Sequence, residues 1–267
     1  MVKCRYALVS SRLPDLDYAL NPYVGCEHGC IYCYGRSMLR NRIEALSWGR
    51  FVKVKRNIHK VLAREIRSGK FSGVVGVSTV TDPYQPLEAR YMLTRRCLEI
   101  LSKAGKLHIS IQTKSDLILR DLDLLKPGMF DVGVTITTMD EDIAKLIEPR
   151  APPPSRRVYA LEEVSNLGVE TWIFLGPIIP YVNDSYDSIE LVVDNARRMG
   201  CEIVYDKLNL RRWVLDSVRS RLEGYGDYPV DKLISLTKRD SEWWIEVRRL
   251  IEGICREKGV RCSSAYP

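Results

Sequence analysis

Residues 21–34 read NPYVGCEHGCIYCY and place three cysteines within one short loop. Cys26, Cys30 and Cys33 have the spacing C-x3-C-x2-C, and the aromatic Tyr32 directly precedes the third thiol. Closely spaced soft thiolates favour a metal cluster, whereas a structural zinc site closes its tetrahedron with four protein ligands. The missing fourth ligand therefore predicts a cluster with one coordination position left open for chemistry.

The same loop is also compatible with zinc or with structural thiols. His28 would complete a zinc site, although it lies only two residues from Cys26, where both side chains would have difficulty reaching one ion. Ferredoxin-type clusters use four cysteines. The remaining cysteines show no second closely spaced run: Cys4, Cys97, Cys201, Cys255 and Cys262. Zinc and a coincidental set of structural thiols are thus the alternatives to an open cluster.

The loop resembles the signature of radical S-adenosylmethionine (SAM) enzymes. The longer pattern PYxGCxHxCxYCY over residues 22–34, and the string TVTDPYQPLE over residues 79–88, are similar to the branch that contains spore photoproduct lyase. The resemblance runs from about Leu20 to about Asn209. It implies a 4Fe-4S cluster on Cys26, Cys30 and Cys33, which reductively cleaves SAM to a 5′-deoxyadenosyl radical. It also implies an electron donor such as ferredoxin or flavodoxin.

Short β-branched runs alternate with amphipathic helical patterns through the middle of the chain. The predicted strands are 74–80, 107–113, 131–137, 171–175 and 203–208, with one more just before the cysteine loop. The predicted helices begin at Asn57, Ser155 and Ser185, and a C-terminal helix covers 240–258. Such alternation implies βαβ units and a parallel sheet.

Six units are too few for a closed eight-stranded barrel. They match the partial (β/α)6 TIM-type barrel of the family that the chain resembles, an α/β fold. We expect a single radical SAM domain over 1–267, with a core of about 18–210 and a C-terminal helical cover of about 211–267.

The C-terminal ends of the predicted strands are polar, and working groups of parallel barrels lie at such ends. The resemblance to the family implies that the backbone at Tyr32 and Ile178 contacts the adenine of SAM and that Lys114 binds its carboxylate. The other candidate SAM contacts at these ends are Asp82 for the ammonium, and Thr135 and Thr137 for the methionine or ribose portion. The alternatives are an N-cap role for Asp82, a surface lysine at 114, and hydroxyls that only fill the barrel top.

One departure from the family pattern concerns the hydrogen donor. Spore photoproduct lyases carry a hydrogen-donating cysteine shortly before the Thr/Ser-Asp segment, where this chain has Val77, Ser78 and Thr79. The O–H bond of Ser78 is too strong to replace a thiol. Direct reversal of spore photoproduct by that route is therefore not expected, and the catalytic donor stays unknown, with Tyr84 and Tyr205 as candidates.

The net charge of +7 is unevenly distributed. Residues 50–70 contain eight basic residues and one acid, while the rest of the chain balances 33 bases with 33 acids. This local excess of positive charge favours an anionic binding partner. The alternative is a basic surface that contacts only solvent. The candidates for contact with nucleic acid or substrate are Lys53, Lys55, Arg56, Lys60, Arg150, Lys207, Arg211, Arg212 and Trp213.

The leading hypothesis is a radical SAM enzyme that acts on nucleic acid or a nucleotide. A radical SAM enzyme for a peptide or small metabolite is one alternative, and a non-enzymatic iron–sulfur or zinc module that binds nucleic acid is another. Polar strand ends at successive positions favour an enzyme, because a binding module has no need of a SAM-sized cleft.

Composition excludes several other classes. Apolar residues make up 45% of the chain and charged ones 28%, which is ordinary for a globular protein. No apolar stretch is long enough to span a membrane and no signal-peptide core follows the N-terminus, so we expect a cytoplasmic protein without a membrane partner. Only two glutamines accompany 75 charged residues, a balance typical of thermophiles. A thermophilic origin would leave a Cys255–Cys262 disulfide open.

Overall fold

The computed structural model describes residues 1–225 and 228–266. These residues group into two compact units, each built from several chain segments. Unit 1 comprises 1–28, 49–134 and 156–171, and unit 2 comprises 29–48, 135–155 and the described residues from Trp172 onward. The expectation of one domain with a core of about 18–210 stays a prediction.

The regular elements alternate between strand and helix, as the sequence pattern indicates. The strands are β1 (Leu8–Ser10), β2 (Tyr18–Leu20), β3 (Tyr23–Val24), β4 (Lys53–Val54), β5 (Gly73–Val77), β6 (Leu107–Thr113), β7 (Phe130–Thr135), β8 (Glu170–Ile178), β9 (Glu202–Lys207) and β10 (Cys262–Ser264). The helices are α1 (Arg42–Leu46), α2 (Ile58–Arg67), α3 (Glu88–Tyr91), α4 (Leu93–Leu101), α5 (Glu141–Ile147), α6 (Pro154–Ser165), α7 (Tyr186–Met199), α8 (Val214–Leu222), α9 (Leu233–Leu236) and α10 (Glu242–Lys258). Short 3-10 turns cover Tyr34–Met38, Asp116–Leu124 and Val230–Lys232.

Unit 1 is built on the neighbouring strands β2, β5, β6 and β7, which run parallel. The short strand β1 joins β2 in antiparallel register, and β3 pairs with β4 as a separate antiparallel ribbon. The apolar side chains of the parallel strands, such as Val75, Ile109 and Val132, are fully buried. Continuous apolar strands of this kind are covered on both faces, which is why the sequence pattern indicates a buried parallel sheet.

Unit 2 carries β8, β9 and β10 in parallel register. Helix α7 begins at an N-cap serine, Ser185, whose hydroxyl accepts a hydrogen bond from Ser188 N, and it ends at Gly200 in the left-handed conformation. Helix α10 begins after Ser241, which caps it in the same way, and its apolar face includes Trp244, Val247 and Ile251. Cys255 and Cys262 are free thiols, and the neighbouring Cys262 raises the pKa of Cys255.

Several predicted boundaries shift by a few residues. The strand predicted over 74–80 ends at Val77, because Ser78 adopts a positive φ of 65° and turns the chain out of the sheet. The helix predicted from Ser155 begins at Pro154, a residue suited to a first helical turn. Asn57 is the N-cap of α2, but its side chain bonds the backbone of Cys4 instead of the helix.

A buried network of charges in unit 1 fixes the start of α3 and α4. The fully buried carboxylate of Glu88 accepts hydrogen bonds from Thr94 N at 3.0 Å, Arg95 N at 3.2 Å and Arg120 Nη2 at 2.9 Å. Tyr23 donates its hydroxyl proton to the same carboxylate. Glu88 therefore has a structural role, because its carboxylate connects α3 to the start of α4 and to Tyr23.

Candidate functional site

The first half of the cysteine loop is fastened within unit 1 to the segment 81–88. Gly25 O accepts hydrogen bonds from the Thr81 hydroxyl and from Gln85 Nε2, and Glu27 N donates to Gln85 Oε1 at 3.0 Å. The Glu27 carboxylate in turn accepts from Leu87 N at 2.6 Å. The two strings that resemble spore photoproduct lyase are therefore physically joined, and the second string holds the first in place.

Gly25 is the tight point of this loop. Its φ is +92°, and a Cβ at this position would lie 2.5 Å from the Phe51 carbonyl oxygen. Only glycine fits such a positive φ against a fixed backbone atom without strain. The glycine therefore sets the path of the chain into Cys26.

Asp82 lies at the centre of the polar cluster that follows β5. Its Oδ1 accepts hydrogen bonds from Tyr84 N at 2.9 Å and the Thr113 hydroxyl at 2.7 Å, and its Oδ2 accepts from Lys114 N at 2.9 Å. His28 Nδ1 lies 3.4 Å from the same Oδ2. The carboxylate thus ties the end of β5 to the end of β6 and to the cysteine loop. It is not the N-cap of α3, a position occupied by Leu87.

The pKa of Asp82 is lowered to about 2. Burial acts to raise this pKa, but the attraction of His28 and Lys114 and the Thr113 hydrogen bond together outweigh it. An unfolded aspartate titrates near a pKa of about 3.9, so the charged form stabilises the native state above that pH and the effect is lost as pH falls towards the folded pKa.

We expect this linkage in a comparison of the wild type with Asp82→Asn. The free energy of unfolding of the wild type should exceed that of Asp82→Asn by an amount that depends on pH. The part due to the carboxylate charge should be about 2.5 kcal/mol near pH 6 and should disappear as the pH approaches about 2. Urea unfolding at a series of pH values measures it. A stability difference that does not change over this range would show that the carboxylate charge is not stabilised by its neighbours.

The second half of the cysteine loop is fastened within unit 2 to the end of α5. Ile31 N donates to Ile147 O at 2.9 Å, and the Tyr32 hydroxyl donates to the buried carboxylate of Glu148. The Glu148 carboxylate therefore fixes the Tyr32 hydroxyl, and the contact of the Tyr32 backbone with adenine stays a prediction. The role of Glu148 as the partner of Tyr32 is one that sequence reasoning missed.

Arg36 is a second residue that sequence reasoning missed. Its side chain is buried and Nη2 donates to Cys30 O at 3.1 Å. Burial lowers the pKa of this guanidinium, while the nearby Cys33 and Cys30 act in the opposite direction. A cation beside cysteines favours the thiolates that metal binding requires. The only signal in the sequence is a basic residue one turn after Cys33.

The remaining candidate SAM contacts are placed as follows. Lys114 is half-buried directly after β6, Thr135 ends β7, and Ile178 ends β8. Thr137 is buried in unit 2, where its carbonyl accepts a hydrogen bond from Asn183 Nδ2 at 2.7 Å. Within the described residues its hydroxyl has no partner. Lys114, Thr135 and Ile178 thus lie at or directly after a strand end, whereas Thr137 lies two residues beyond the end of β7. The contacts of all four residues with SAM stay predictions.

The two tyrosines considered as hydrogen donors are deeply packed. Tyr84 is fully buried in unit 1, where its ring lies 6.0 Å from the Arg120 guanidinium. Burial, with a smaller effect of Asp121, raises its pKa. Tyr205 in unit 2 donates its hydroxyl proton to Glu252 Oε1 at 2.6 Å. Both positions are typical of structural tyrosines, so a donor role gains no support from the geometry and stays a prediction.

The substrate candidates of unit 2 form a polar segment after β9. Lys207 is half-buried, and burial lowers its pKa. The neighbouring Asp206 accepts hydrogen bonds from Lys207 N at 2.8 Å and Asn209 Nδ2 at 2.7 Å. Arg150, Arg211 and Arg212 are all exposed. Trp213 is partly buried and adopts a positive φ of 68°.

The basic segment divides into two parts in the structure. Lys53 and Lys55 are half-buried in and beside β4, and burial lowers the pKa of Lys55. The bases with more access to solvent lie on and before α2: Arg56, Lys60, Arg64 and Arg67. The single acid, Glu65, forms no ion pair among the described residues, and its carboxylate accepts hydrogen bonds from Ala7 N and Leu8 N.

No three His, Cys, Asp or Glu side chains converge to hold a metal ion in residues 1–225 and 228–266. The donor chemistry nevertheless fits a cluster. Cys26 and Cys30 are buried, Cys33 is half-buried, and the buried Nε2 of His28 and Nε of Arg36 lack hydrogen-bond partners among the described residues. Three thiols in one short loop are the kind of donor set that a cluster uses.

Comparison with known proteins establishes the family. The sequence profile of the radical SAM superfamily matches residues 20–196. The chain belongs to the radical SAM superfamily. An uncharacterized protein of Methanocaldococcus jannaschii is 33% identical over 211 residues, which cover 79% of this chain and 77% of that protein. An uncharacterized protein of Acidianus two-tailed virus is 30% identical over 212 residues, which cover 75% of this chain and 69% of that protein.

Solved structures confirm the fold class. A mutant of spore photoproduct lyase matches with a TM-score of 0.77 at 14% identity, over 99% of this chain and 80% of that one. Streptococcus suis SuiB bound to S-adenosylmethionine matches with a TM-score of 0.58 at 16% identity, over 93% of this chain and 52% of that one. The radical SAM protein described here thus has the α/β, partial-barrel fold that the resemblance implied.

The cofactors follow from the family. Radical SAM proteins use a 4Fe-4S cluster and SAM, and they need a reductant. Among the described residues no helix combines the length and the apolar character needed to cross a membrane. The cytoplasmic location and the thermophilic source stay predictions.

Proposed function

We propose that this radical SAM protein is an enzyme whose cluster is bound by Cys26, Cys30 and Cys33 and whose substrate is nucleic acid. The observation that supports the first part is the fixed cysteine loop, held by Thr81 and Gln85 at one end and by Glu148 at the other. When bound and reduced, the cluster supplies the electron that cleaves SAM. The protein side chains have only to bind, orient and shield the reactants.

Each predicted SAM contact has a specific task in this proposal. Lys114 supplies a positive charge for the carboxylate of SAM, while its backbone N–H stays with Asp82. Both oxygens of Asp82 already accept hydrogen bonds from protein groups, so an ammonium would share them with Thr113 and Lys114 N. Asp82 thereby orients Lys114 and also supplies negative charge. Thr135, Thr137, Ile178 and the Tyr32 backbone complete the set of proposed contacts.

The carboxylate contact leads to a prediction for Lys114→Ala. A charge-assisted hydrogen bond contributes roughly 1.5–3 kcal/mol, so the affinity for SAM should fall about ten- to hundredfold while the cluster stays intact. Equilibrium binding of SAM to reconstituted protein measures this change. Lys106→Ala is the matched control, because Lys106 is exposed and precedes β6 at its other end. Equal affinities in the two variants would mean that the SAM carboxylate binds elsewhere.

The support for a nucleic-acid substrate is the uncompensated basic face of α2. Lys60, Arg64 and Arg67 recur at intervals of four and three residues, which places them along one side of a helix. The buried side of the same helix carries Ile58, Val61 and Leu62, so the basic side is the one that faces solvent. A row of solvent-facing cations without acids is the usual electrostatic footprint for a phosphate backbone.

We expect the binding of DNA or RNA to weaken with salt. The slope of log affinity against log salt is about 0.7 to 0.9 per phosphate neutralised. The triple variant Lys60→Gln, Arg64→Gln, Arg67→Gln should therefore lower that slope by about 2 to 3. Replacement of Arg197, Arg198 and Lys232 by glutamine removes the same charge from unit 2 and should leave the slope unchanged.

Absence of detectable binding to DNA or RNA at about 50 mM salt would contradict the nucleic-acid substrate, because a backbone-tracking surface binds at least weakly under such conditions. That result would favour a peptide or a small metabolite as the substrate of the same chemistry.

A further inference from the structure

The segment 38–46, which follows the cysteine loop, exposes an unusual amount of apolar surface. Met38 is 51% exposed, Ile43 is 75% exposed and Leu46 is 49% exposed. Arg40 and Arg42 are exposed between them. Clustered apolar side chains with arginines around them are typical of protein interaction sites, whereas scattered single ones need no explanation.

The segment 211–213 of the same unit extends this surface. The Ser37 hydroxyl donates to Arg212 O at 2.8 Å, and the guanidinium groups of Arg42 and Arg212 lie 5.7 Å and 4.4 Å from the centre of the Trp213 ring. We call the residues 38–46 and 211–213 together the arginine surface. Its cations are Arg40, Arg42, Arg211 and Arg212, and Glu44 is its one acid.

The composition of the arginine surface favours a protein over a nucleic acid. Trp213 is a candidate for contact with nucleic acid, but two guanidinium groups lie over its ring and reduce the area on which a base could stack. Exposed Ile43, Leu46 and Met38 gain nothing from a phosphate backbone, but they gain from burial in a protein interface. Four arginines then select a partner with an acidic face.

The arginine surface is also connected to the cysteine loop inside unit 2. Cys33 immediately precedes the 3-10 turn Tyr34–Met38, and Arg36 in that turn donates to Cys30 O. Arg211 lies over the ring of Tyr34 at 5.9 Å. A protein bound to this surface would therefore contact the chain segment that carries two of the proposed cluster ligands.

We infer that the arginine surface is the docking site of a small acidic electron-carrier protein that reduces the cluster. The inference rests on the proposed function, because only a cluster-containing radical SAM enzyme needs such a partner. In each encounter the reduced carrier loses one electron and the oxidised cluster gains it. No bond is made and no proton is transferred.

The test uses Arg40→Glu and Ile43→Asp, neither of which lies among the proposed cofactor or substrate contacts. The probes are an acidic flavodoxin and an acidic ferredoxin, and their affinity is measured by titration at several salt concentrations. Each variant should bind the carrier at least about tenfold more weakly, with the defect of Arg40→Glu shrinking at high salt and that of Ile43→Asp persisting. Arg249→Glu and Leu191→Asp, which change exposed residues of α10 and α7, should bind like the wild type.

A second readout separates docking from catalysis. With the carrier as reductant, SAM cleavage by Arg40→Glu and Ile43→Asp should fall about as much as carrier affinity, while with dithionite their rate should match the wild type. Variants that bind and accept electrons from both carriers normally would overturn the inference, and so would variants that lose nucleic-acid binding instead. Should dithionite fail to drive SAM cleavage in the wild type, the proposed function would fall, and the carrier titrations would still decide whether the surface is a docking site.

Discussion

Replacement of Cys26, Cys30 or Cys33 by alanine is expected to abolish cluster assembly. Three thiolates are the smallest set that holds a 4Fe-4S cluster while one iron stays available to SAM, and no fourth cysteine nearby in the sequence can substitute for a lost one. Reconstitution of the wild type under anaerobic conditions should give about four irons per chain and the broad brownish absorbance of a cubane cluster. Each alanine variant should retain little iron and release no 5′-deoxyadenosine from SAM.

Cys255→Ala is the matched control for these three variants. Cys255 is buried near the end of α10 and its thiol partner is Cys262, far from the cysteine loop in the sequence. The Cys255→Ala variant should therefore assemble the cluster as the wild type does. Full iron content in a Cys26, Cys30 or Cys33 variant would exclude that cysteine as a ligand.

Glu88→Ala is expected to destabilise the fold by about 3–5 kcal/mol, because it opens a cavity in a fully buried network and takes from Arg120 one of its two buried carboxylate partners, leaving only Asp121. The substitution also removes the acceptor of Thr94 N, Arg95 N and the Tyr23 hydroxyl. Urea unfolding followed by circular dichroism measures the change. The segment 81–88, which holds the cysteine loop, should loosen as well, so cluster retention should decrease in parallel.

Glu99→Ala provides the comparison for this effect. Glu99 pairs with Arg95 at 3.4 Å one helical turn away, but its side chain is 46% exposed. Exposed pairs of this kind contribute about 0–1 kcal/mol. A loss of stability in Glu88→Ala as small as that in Glu99→Ala would show that the buried network does not hold α3 and α4 in place.

The sequence predicts the strands well where burial alone determines them. The limits of β6 are those that its apolar run indicates, and β7, β8 and β9 differ from their predicted limits by three residues or fewer. The strands β1, β3, β4 and β10 have only two or three residues, too few for any periodicity to identify. Their pairing depends on contacts with distant segments, which a local pattern does not contain.

The candidate site was predictable where side-chain chemistry is specific and was missed where it depends on burial. The thiol spacing identifies the cysteine loop without any structure. Arg36 looks like a surface residue in the sequence, and only the fold shows that Arg36 and Glu148 are buried against the loop. Arg212 directly precedes Trp213 in the sequence, but the positions of Arg42 and Arg212 over the Trp213 ring come from tertiary packing.

The central claim is that three cysteines hold a cluster that cleaves SAM. It is tested most directly by reducing the anaerobically reconstituted wild-type protein with dithionite and measuring 5′-deoxyadenosine released from SAM, with iron and sulfide determined on the same sample. We predict about four irons and four sulfides per chain, and slow release of 5′-deoxyadenosine even without substrate. Stoichiometric zinc with no iron uptake, or a full cluster that leaves SAM intact, would contradict the claim.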